Sequence, residues 1–267
     1  MQNFTNIKAL IIDMDGVLWH GDKPLEGLCE FFDTLRQLNI RFILATNNAS
    51  LTRLQYVNKL AKMGVTVDIN EILTSGLATA LYLAEKYKPE ETRVYVVGEA
   101  GATEPLAERG FILTDLYDVS ANVVVCGKDS TLTWDKLATA SLNIRNGAAF
   151  IGTNADTTLP TEYGITHGNG AILAALQTAT NIEPVCVGKP EPIMYRQAIS
   201  LLGSDLAETV AIGDRLETDI LGAVRTGIRS LMVLTGISSQ ADIDAENYAP
   251  TWVVPDIRDI TAALKAM

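Results

Sequence analysis

Ala9-Leu10-Ile11-Ile12-Asp13-Met14-Asp15-Gly16 reads as a short apolar strand that runs straight into two carboxylates and a glycine. A strand that is apolar at every position is covered on both faces, as in a parallel sheet flanked by helices. The same arrangement returns downstream. Phe42–Ala45 is a second apolar strand and ends in Thr46-Asn47-Asn48, and Thr209–Ile212 is another, ending in Gly213-Asp214. Segments with helical spacing lie between such strands, so the chain reads as α/β with a parallel sheet.

Working outward, Pro24 suits a helix start, with Leu25, Leu28, Phe32, Leu35 and Leu38 following at helical spacing. Ser50 suits the cap of a helix that runs to Met63 and stops at Gly64, and Ser75 the cap of another carrying Leu77, Leu81 and Ala84. From about residue 78 the pattern continues as a separate unit. Arg93–Val97, Asn122–Cys126 and Ala148–Gly152 are expected strands there, and Trp134–Arg145 and Ala171–Thr180 expected helices. Val185–Val187 leads to Gly188-Lys189-Pro190 and a helix through Leu202, then come the strand Thr209–Ile212, a helix over Thr218–Thr226 and a strand over Ser230–Leu234. There is no internal repeat and no low-complexity linker.

Composition narrows the function classes. With 267 residues the chain can bury one large core or two modest ones. A formal net charge of −11 repels nucleic acid and anionic membranes, so neither is an expected partner. Only His20 and His167 are present, which excludes a multi-histidine zinc site and makes any metal oxygen-ligated. Cys29, Cys126 and Cys186 are odd in number and sit mostly in apolar runs, so buried free thiols in a reducing compartment are expected. No apolar run approaches the roughly 20 residues of a membrane span, and no basic stretch leads into an apolar one at the N-terminus. A cytoplasmic protein is the expectation.

Four points carry unusual chemistry, and each follows a strand or begins a helix. In an open α/β sheet that carboxyl edge is where ligands bind. Asp13 and Asp15, two residues apart, repel each other unless a cation lies between them; the alternative is a solvated turn. Thr46-Asn47 offers a hydroxyl and fresh backbone N–H groups to phosphate oxygens, or is a capped turn. Lys189 is pinned between Gly188 and Pro190, with Pro190 expected to open a helix whose N-terminus favours anions. A surface lysine is the bland alternative. Asp214 directly follows a buried strand and is a candidate metal ligand, whereas Asp219 either caps a helix or supports the metal site.

Together they suggest one mechanism. Mg²⁺ held by Asp13 and Asp214 neutralises charge, Asp13 attacks phosphorus, Thr46, Asn47 and Lys189 hold phosphate oxygens, and Asp15 acts as general acid and then base.

The ordered motifs Asp13-Met14-Asp15-Gly16, Thr46-Asn47-Asn48, Gly188-Lys189-Pro190 and Gly213-Asp214-Arg215-Leu216-Glu217-Thr218-Asp219-Ile220 resemble those of the haloacid dehalogenase (HAD) superfamily of phosphatases. The long insertion between the second and third, with the wording of the fourth, resembles its subfamily IIA, the NagD type. That group includes p-nitrophenyl phosphatases, phosphoglycolate phosphatases and pyridoxal-phosphate phosphatases. The resemblance implies a Rossmann-like core of residues 1–77 and 187–267 with an α/β cap of the C2 type over residues 78–186. It also implies Asp13 as nucleophile, Asp15 as acid/base, phosphate on Thr46, Asn47 and Lys189, and a metal held by Asp13, the backbone carbonyl of Asp15, and Asp214.

Two alternatives stay open: a phosphomutase on the same fold, and a phosphate-accepting signalling domain of the response-regulator type. A catalytically silent binding protein is disfavoured by the intact motifs. The expected partner is a small phosphorylated metabolite, and a homo-oligomer is left open. In the cap, Thr153–Pro160 is dense in hydrogen-bonding side chains and turn formers. Asn154, Asp156 and Thr158 are therefore candidates for a specificity loop, with an ordinary surface turn as the alternative.

Overall fold

The structure is a computed structural model and describes residues 4–161 and 163–266. The chain divides into two compact units. One contains the residues up to Thr46, Arg53–Leu73 and those from Lys189 onward; the other contains Asn47–Thr52 and Thr74–Gly188. The stretch Asn47–Thr52 thus packs with the insertion, although the sequence grouped it with the core. Its anchor is Gly101, whose N–H donates to the Ser50 carbonyl at 3.2 Å. A side chain on Gly101 would begin 2.3 Å from the Leu51 carbonyl oxygen, so only glycine lets the two backbones approach.

The first unit is built on a six-stranded sheet in the order Trp252–Val254, Arg229–Val233, Thr209–Gly213, Ala9–Ile12, Arg41–Thr46, Ile72–Thr74. The pairings among the first five are parallel. Counted in chain order this is the doubly wound order 3-2-1-4-5-6, whose ligand crevice opens where the winding reverses, between Ala9–Ile12 and Thr209–Gly213. Both strands are buried at every position. The helix Leu28–Gln37 covers one face with the stripe Leu28, Phe31, Phe32 and Leu35, and packs against Ile257–Lys265. Leu35 is fully buried; truncating it to alanine would cost about 2–5 kcal/mol.

The second unit carries a five-stranded parallel sheet in the order Val185–Cys186, Ala149–Gly152, Val123–Cys126, Arg93–Val97, Ile112–Leu113. Its chain order, 2-1-3-4-5, is the other common doubly wound arrangement. Tyr95, Val124, Phe150, Ile144 and Leu173 form its core. A hairpin, Thr158–Thr161 with Gly164–His167, leaves the sheet after Gly152.

Several local expectations change. Pro24 does not open a helix: Lys23–Pro24 pairs antiparallel with Trp19–His20, and the helix begins at Leu28. Ser50 is spent in a turn, bonding to Asn48 Oδ1 at 2.5 Å, and the helix after it runs Arg53–Lys62. Thr74, not Ser75, caps Ser75–Ala84, accepting from the Leu77 N–H at 3.1 Å. The helix after Lys189 starts at Pro192, so the lysine stands clear of its N-terminus. The helix expected over Thr218–Thr226 is regular only over Leu221–Thr226, because Leu216–Ile220 forms a π-helical turn that runs into it. Of the three cysteines only Cys126 is buried; Cys29 lies off the apolar stripe of its helix and is exposed, and Cys186 is half-buried. No helix among the described residues is long and apolar enough to cross a membrane.

Candidate active site

The crevice of the first unit collects three carboxylates and one ammonium. Asp13 ends its strand with its N–H donating to the Ile212 carbonyl at 2.8 Å, which fixes the residue against the neighbouring strand. Asp214 ends that neighbour. Gly16, at φ 81°, turns the chain away so tightly that a side chain on it would begin 2.6 Å from Asp214 Oδ2. The π-helical turn carries Asp219 back toward the strand ends; the N–H groups of Asp219 and Ile220 both bond to the Arg215 carbonyl, at 3.0 and 3.2 Å. One oxygen from each of Asp13, Asp214 and Asp219 lies within 4.8 Å of the others.

Lys189 reaches into this cluster. Its ammonium donates to Asp13 Oδ1 at 2.5 Å, Asp219 Oδ1 at 2.6 Å and the Ala45 carbonyl at 3.1 Å. Burial works against the ammonium charge, but the carboxylates of Asp13 and Asp219 outweigh it and hold Lys189 well above its ordinary value. Burial pushes the Asp13 carboxyl well above the usual carboxylate range; Lys189 opposes that rise and the charges of Asp219 and Asp214 add to it. Burial and the charge of Asp219 push Asp214 up to about 6.

Three carboxylates facing one lysine leave an excess of negative charge, and the hydrogen bonds identify where a cation fits. Asp219 has both oxygens engaged, Oδ1 by Lys189 and Oδ2 by the Arg215 N–H at 3.2 Å. Asp214 accepts from the Ile237 N–H through Oδ2 at 2.9 Å, while its Oδ1 is buried with no hydrogen-bond partner among the described residues. A buried, unpartnered carboxylate oxygen beside a second carboxylate is the donor set of a hard, oxygen-seeking cation. The cluster can therefore hold a metal through Asp13 and Asp214, with Asp219 fixing Lys189 between them.

The other expected residues fall into place less uniformly. Asp15 is exposed and its side chain stands outside the cluster, accepting from Trp19 Nε1 at 2.7 Å. Thr46 is buried at the end of its strand. Asn47 belongs to the second unit, where its Nδ2 donates to Asp156 Oδ1 at 2.9 Å. The Asn47 carbonyl accepts from Ser75 Oγ at 2.5 Å and Asn154 Nδ2 at 2.7 Å. Thr158 is exposed at the start of the hairpin. The structure thus brings Asp13, Asp214, Asp219 and Lys189 together, and separately Asn47, Asn154 and Asp156. Sequence reasoning missed Trp19, Ser75 and Tyr195, whose buried hydroxyl donates to the Asp219 carbonyl at 2.8 Å. A tryptophan four residues after Asp15 in a glycine-containing turn was the one available hint.

Residues 10–112 match the family described as haloacid dehalogenase-like hydrolase, and residues 186–260 match a HAD-hydrolase-like family. An acid sugar phosphatase of Staphylococcus saprophyticus is 36% identical over 260 residues, spanning 97% of this chain and 99% of its own. Among solved structures, the p-nitrophenyl phosphatase of Archaeoglobus fulgidus superposes with a TM-score of 0.91 at 30% identity, covering 97% of this chain and 99% of that one. NagD of Escherichia coli superposes with a TM-score of 0.87 at 34% identity, covering 94% and 97%. With relatedness running the whole length of the chain and the four motifs in order, the protein belongs to the haloacid dehalogenase-like hydrolases, in the subfamily of NagD and the p-nitrophenyl phosphatases.

Proposed function

We propose that the protein is a Mg²⁺-dependent phosphatase of small phosphomonoesters, sugar and aryl phosphates foremost, that works through a phosphoryl group carried on Asp13. The observation that carries this reading is the Lys189 ammonium bridging Asp13 and Asp219 beside the unpartnered Oδ1 of Asp214. It supplies a nucleophile, a fixed positive charge and a vacancy in hydrogen bonding that suits a cation.

Mg²⁺ held by Asp13, Asp214 and the Asp15 carbonyl would supply positive charge opposite the phosphoryl oxygens. The chain's own groups do the rest. Asp13 attacks phosphorus in line with the leaving oxygen; the ester P–O bond breaks as the new bond to the carboxylate forms. Asp15 gives its proton to the departing alkoxide. Water then attacks the same phosphorus, Asp15 takes a proton from it, and inorganic phosphate leaves with Asp13 restored. Lys189 and Thr46 hold the phosphoryl oxygens throughout, with Asn47, next in the chain, as a further donor. Acidic overall, the protein draws its anion through this local cluster of donors.

A panel of sugar phosphates and p-nitrophenyl phosphate, assayed with and without Mg²⁺, tests the proposal. Multiple turnovers that vanish on chelation are expected. A single stoichiometric phosphorylation without turnover would overturn it in favour of a signalling domain, and return of the phosphoryl group to a second position of the product would indicate a mutase.

A further inference from the structure

We propose that Trp19 is a positioning residue for Asp15: its indole N–H fixes one carboxylate oxygen so that the other is aimed for proton transfer. The inference rests on the reading of Asp15 as general acid and base.

Asp15 is exposed, and an exposed carboxylate is free to rotate among its side-chain wells. Trp19 is fully buried, and a buried indole N–H requires an acceptor. It finds one in Asp15 Oδ1 at 2.7 Å. The ring itself is held on several sides. The Gly16 N–H donates to the Trp19 carbonyl at 2.8 Å, and Trp19 pairs with Pro24 in the small hairpin, so the backbone is closed around the turn. The Lys59 ammonium lies 4.6 Å over the ring, and Lys59 in turn pairs with Asp22 at 3.6 Å. Lys59, on the helix Arg53–Lys62, thus faces this corner. An anchored donor therefore holds a side chain that is otherwise loose. Among the described residues only one oxygen of Asp15 accepts a hydrogen bond, leaving Oδ2 for the leaving group and then for water. The hairpin that the sequence reading replaced with a helix start is what delivers the indole.

The test is a double-mutant cycle read in the pre-steady state. Trp19→Phe keeps an apolar ring in the slot and removes the donor. With p-nitrophenyl phosphate it should leave the nitrophenol burst nearly intact and slow hydrolysis of the phosphoenzyme by about 10-fold or more, a share of the 10²–10⁴ that a placed acid/base group provides. On an alkyl phosphate, whose leaving group needs the proton, kcat/KM should fall further than on the nitrophenyl ester. In an Asp15→Asn background the same change should cost less than about twofold, since no proton donor remains to be placed. Equal losses in both backgrounds, or no loss in either, would overturn the positioning role while leaving the Asp15 reading intact. Normal turnover by Asp15→Asn alone would instead remove the acid/base reading, and this proposal with it. Should Trp19→Phe fail to fold, benzothienylalanine incorporated at position 19 keeps the ring shape without the N–H, and the same outcomes apply.

Discussion

Lys189 Nζ lies 2.6 Å from Asp219 Oδ1, and both side chains are almost wholly buried, at 4% and 3% exposed. Such a pair is costly to form and more costly to break, because removing one partner strands the other charge away from water. Asp219→Asn should keep the shape and one hydrogen bond while releasing Lys189 toward Asp13. Turnover is expected to fall roughly 10- to 100-fold with the fold retained. Asp219→Ala should in addition lose about 3–5 kcal/mol of stability, read by denaturant unfolding. Full activity in Asp219→Asn would reduce the residue to a helix-start carboxylate.

Asp13→Asn should abolish turnover and leave the unfolding curve close to that of the parent. The amide is nearly the same shape and its oxygen can still accept from Lys189, but it is a poor nucleophile. Beryllium fluoride with Mg²⁺ should inhibit the parent by imitating phosphorylated Asp13 and should not bind tightly to the variant. Activity well above background in Asp13→Asn would move the nucleophile elsewhere.

The acidic cluster also fixes a pH dependence. Asp214 is raised from the ordinary 3.8 to about 6, and Asp13 is raised as well. In the metal-free protein the folded state thus binds protons that the unfolded state has released between about pH 4 and 6. Its stability must then fall as pH rises through that window. Mg²⁺ competes with the same protons, so its apparent affinity should weaken as pH drops below about 6. Asp214→Asn should be more heat-stable than the parent at pH 7 without metal, by a few degrees, and should lose the Mg²⁺ response. Melting curves at pH 5 and 7, with and without Mg²⁺, separate these effects. An unchanged melting temperature in metal-free Asp214→Asn would mean the carboxylate is not strained.

The legible part of this site is the part the sheet dictates. Asp13 and Asp214 each follow an uninterrupted apolar strand, and a parallel sheet of this winding order puts both strand ends at one crevice. Lys189 was legible from its rigid neighbours, although the helix expected to begin beside it starts at Pro192. Asp219 was ambiguous because a helix-start carboxylate and a buried partner of lysine look alike in sequence; the π-helical turn that decides between them has no sequence mark. Pro24 was misread because proline fits a helix start and a hairpin edge equally well, and the pairing with Trp19 went unseen with it. Asn47 and Asp156 meet across 109 residues of chain, a contact that no local pattern announces.

That contact changes what is expected of the Asn154–Thr158 loop. The sequence alone suggests that Asp156→Ala and Thr158→Ala both alter kcat/KM unequally across substrates. Asp156, however, holds the side-chain amide of Asn47, and Asn154 and Ser75 hold its carbonyl, all within the second unit. Asp156 is itself fixed: its N–H donates to Asn154 Oδ1 at 3.1 Å, and its carbonyl accepts from the Gly170 N–H at 2.8 Å. If Asn47 serves the phosphoryl group common to every substrate, loosening it must penalise all of them alike. Asp156→Ala should therefore lower kcat/KM by a similar factor, about 10-fold, for sugar phosphates and p-nitrophenyl phosphate. Combined with Asn47→Ala it should add little, because both changes remove one interaction. Thr158 is exposed and holds no such partner role, so Thr158→Ala should act selectively, least on the smallest substrate. A selective effect of Asp156→Ala, additive with Asn47→Ala, would show that Asp156 reads the leaving group directly and that its bond to Asn47 is incidental.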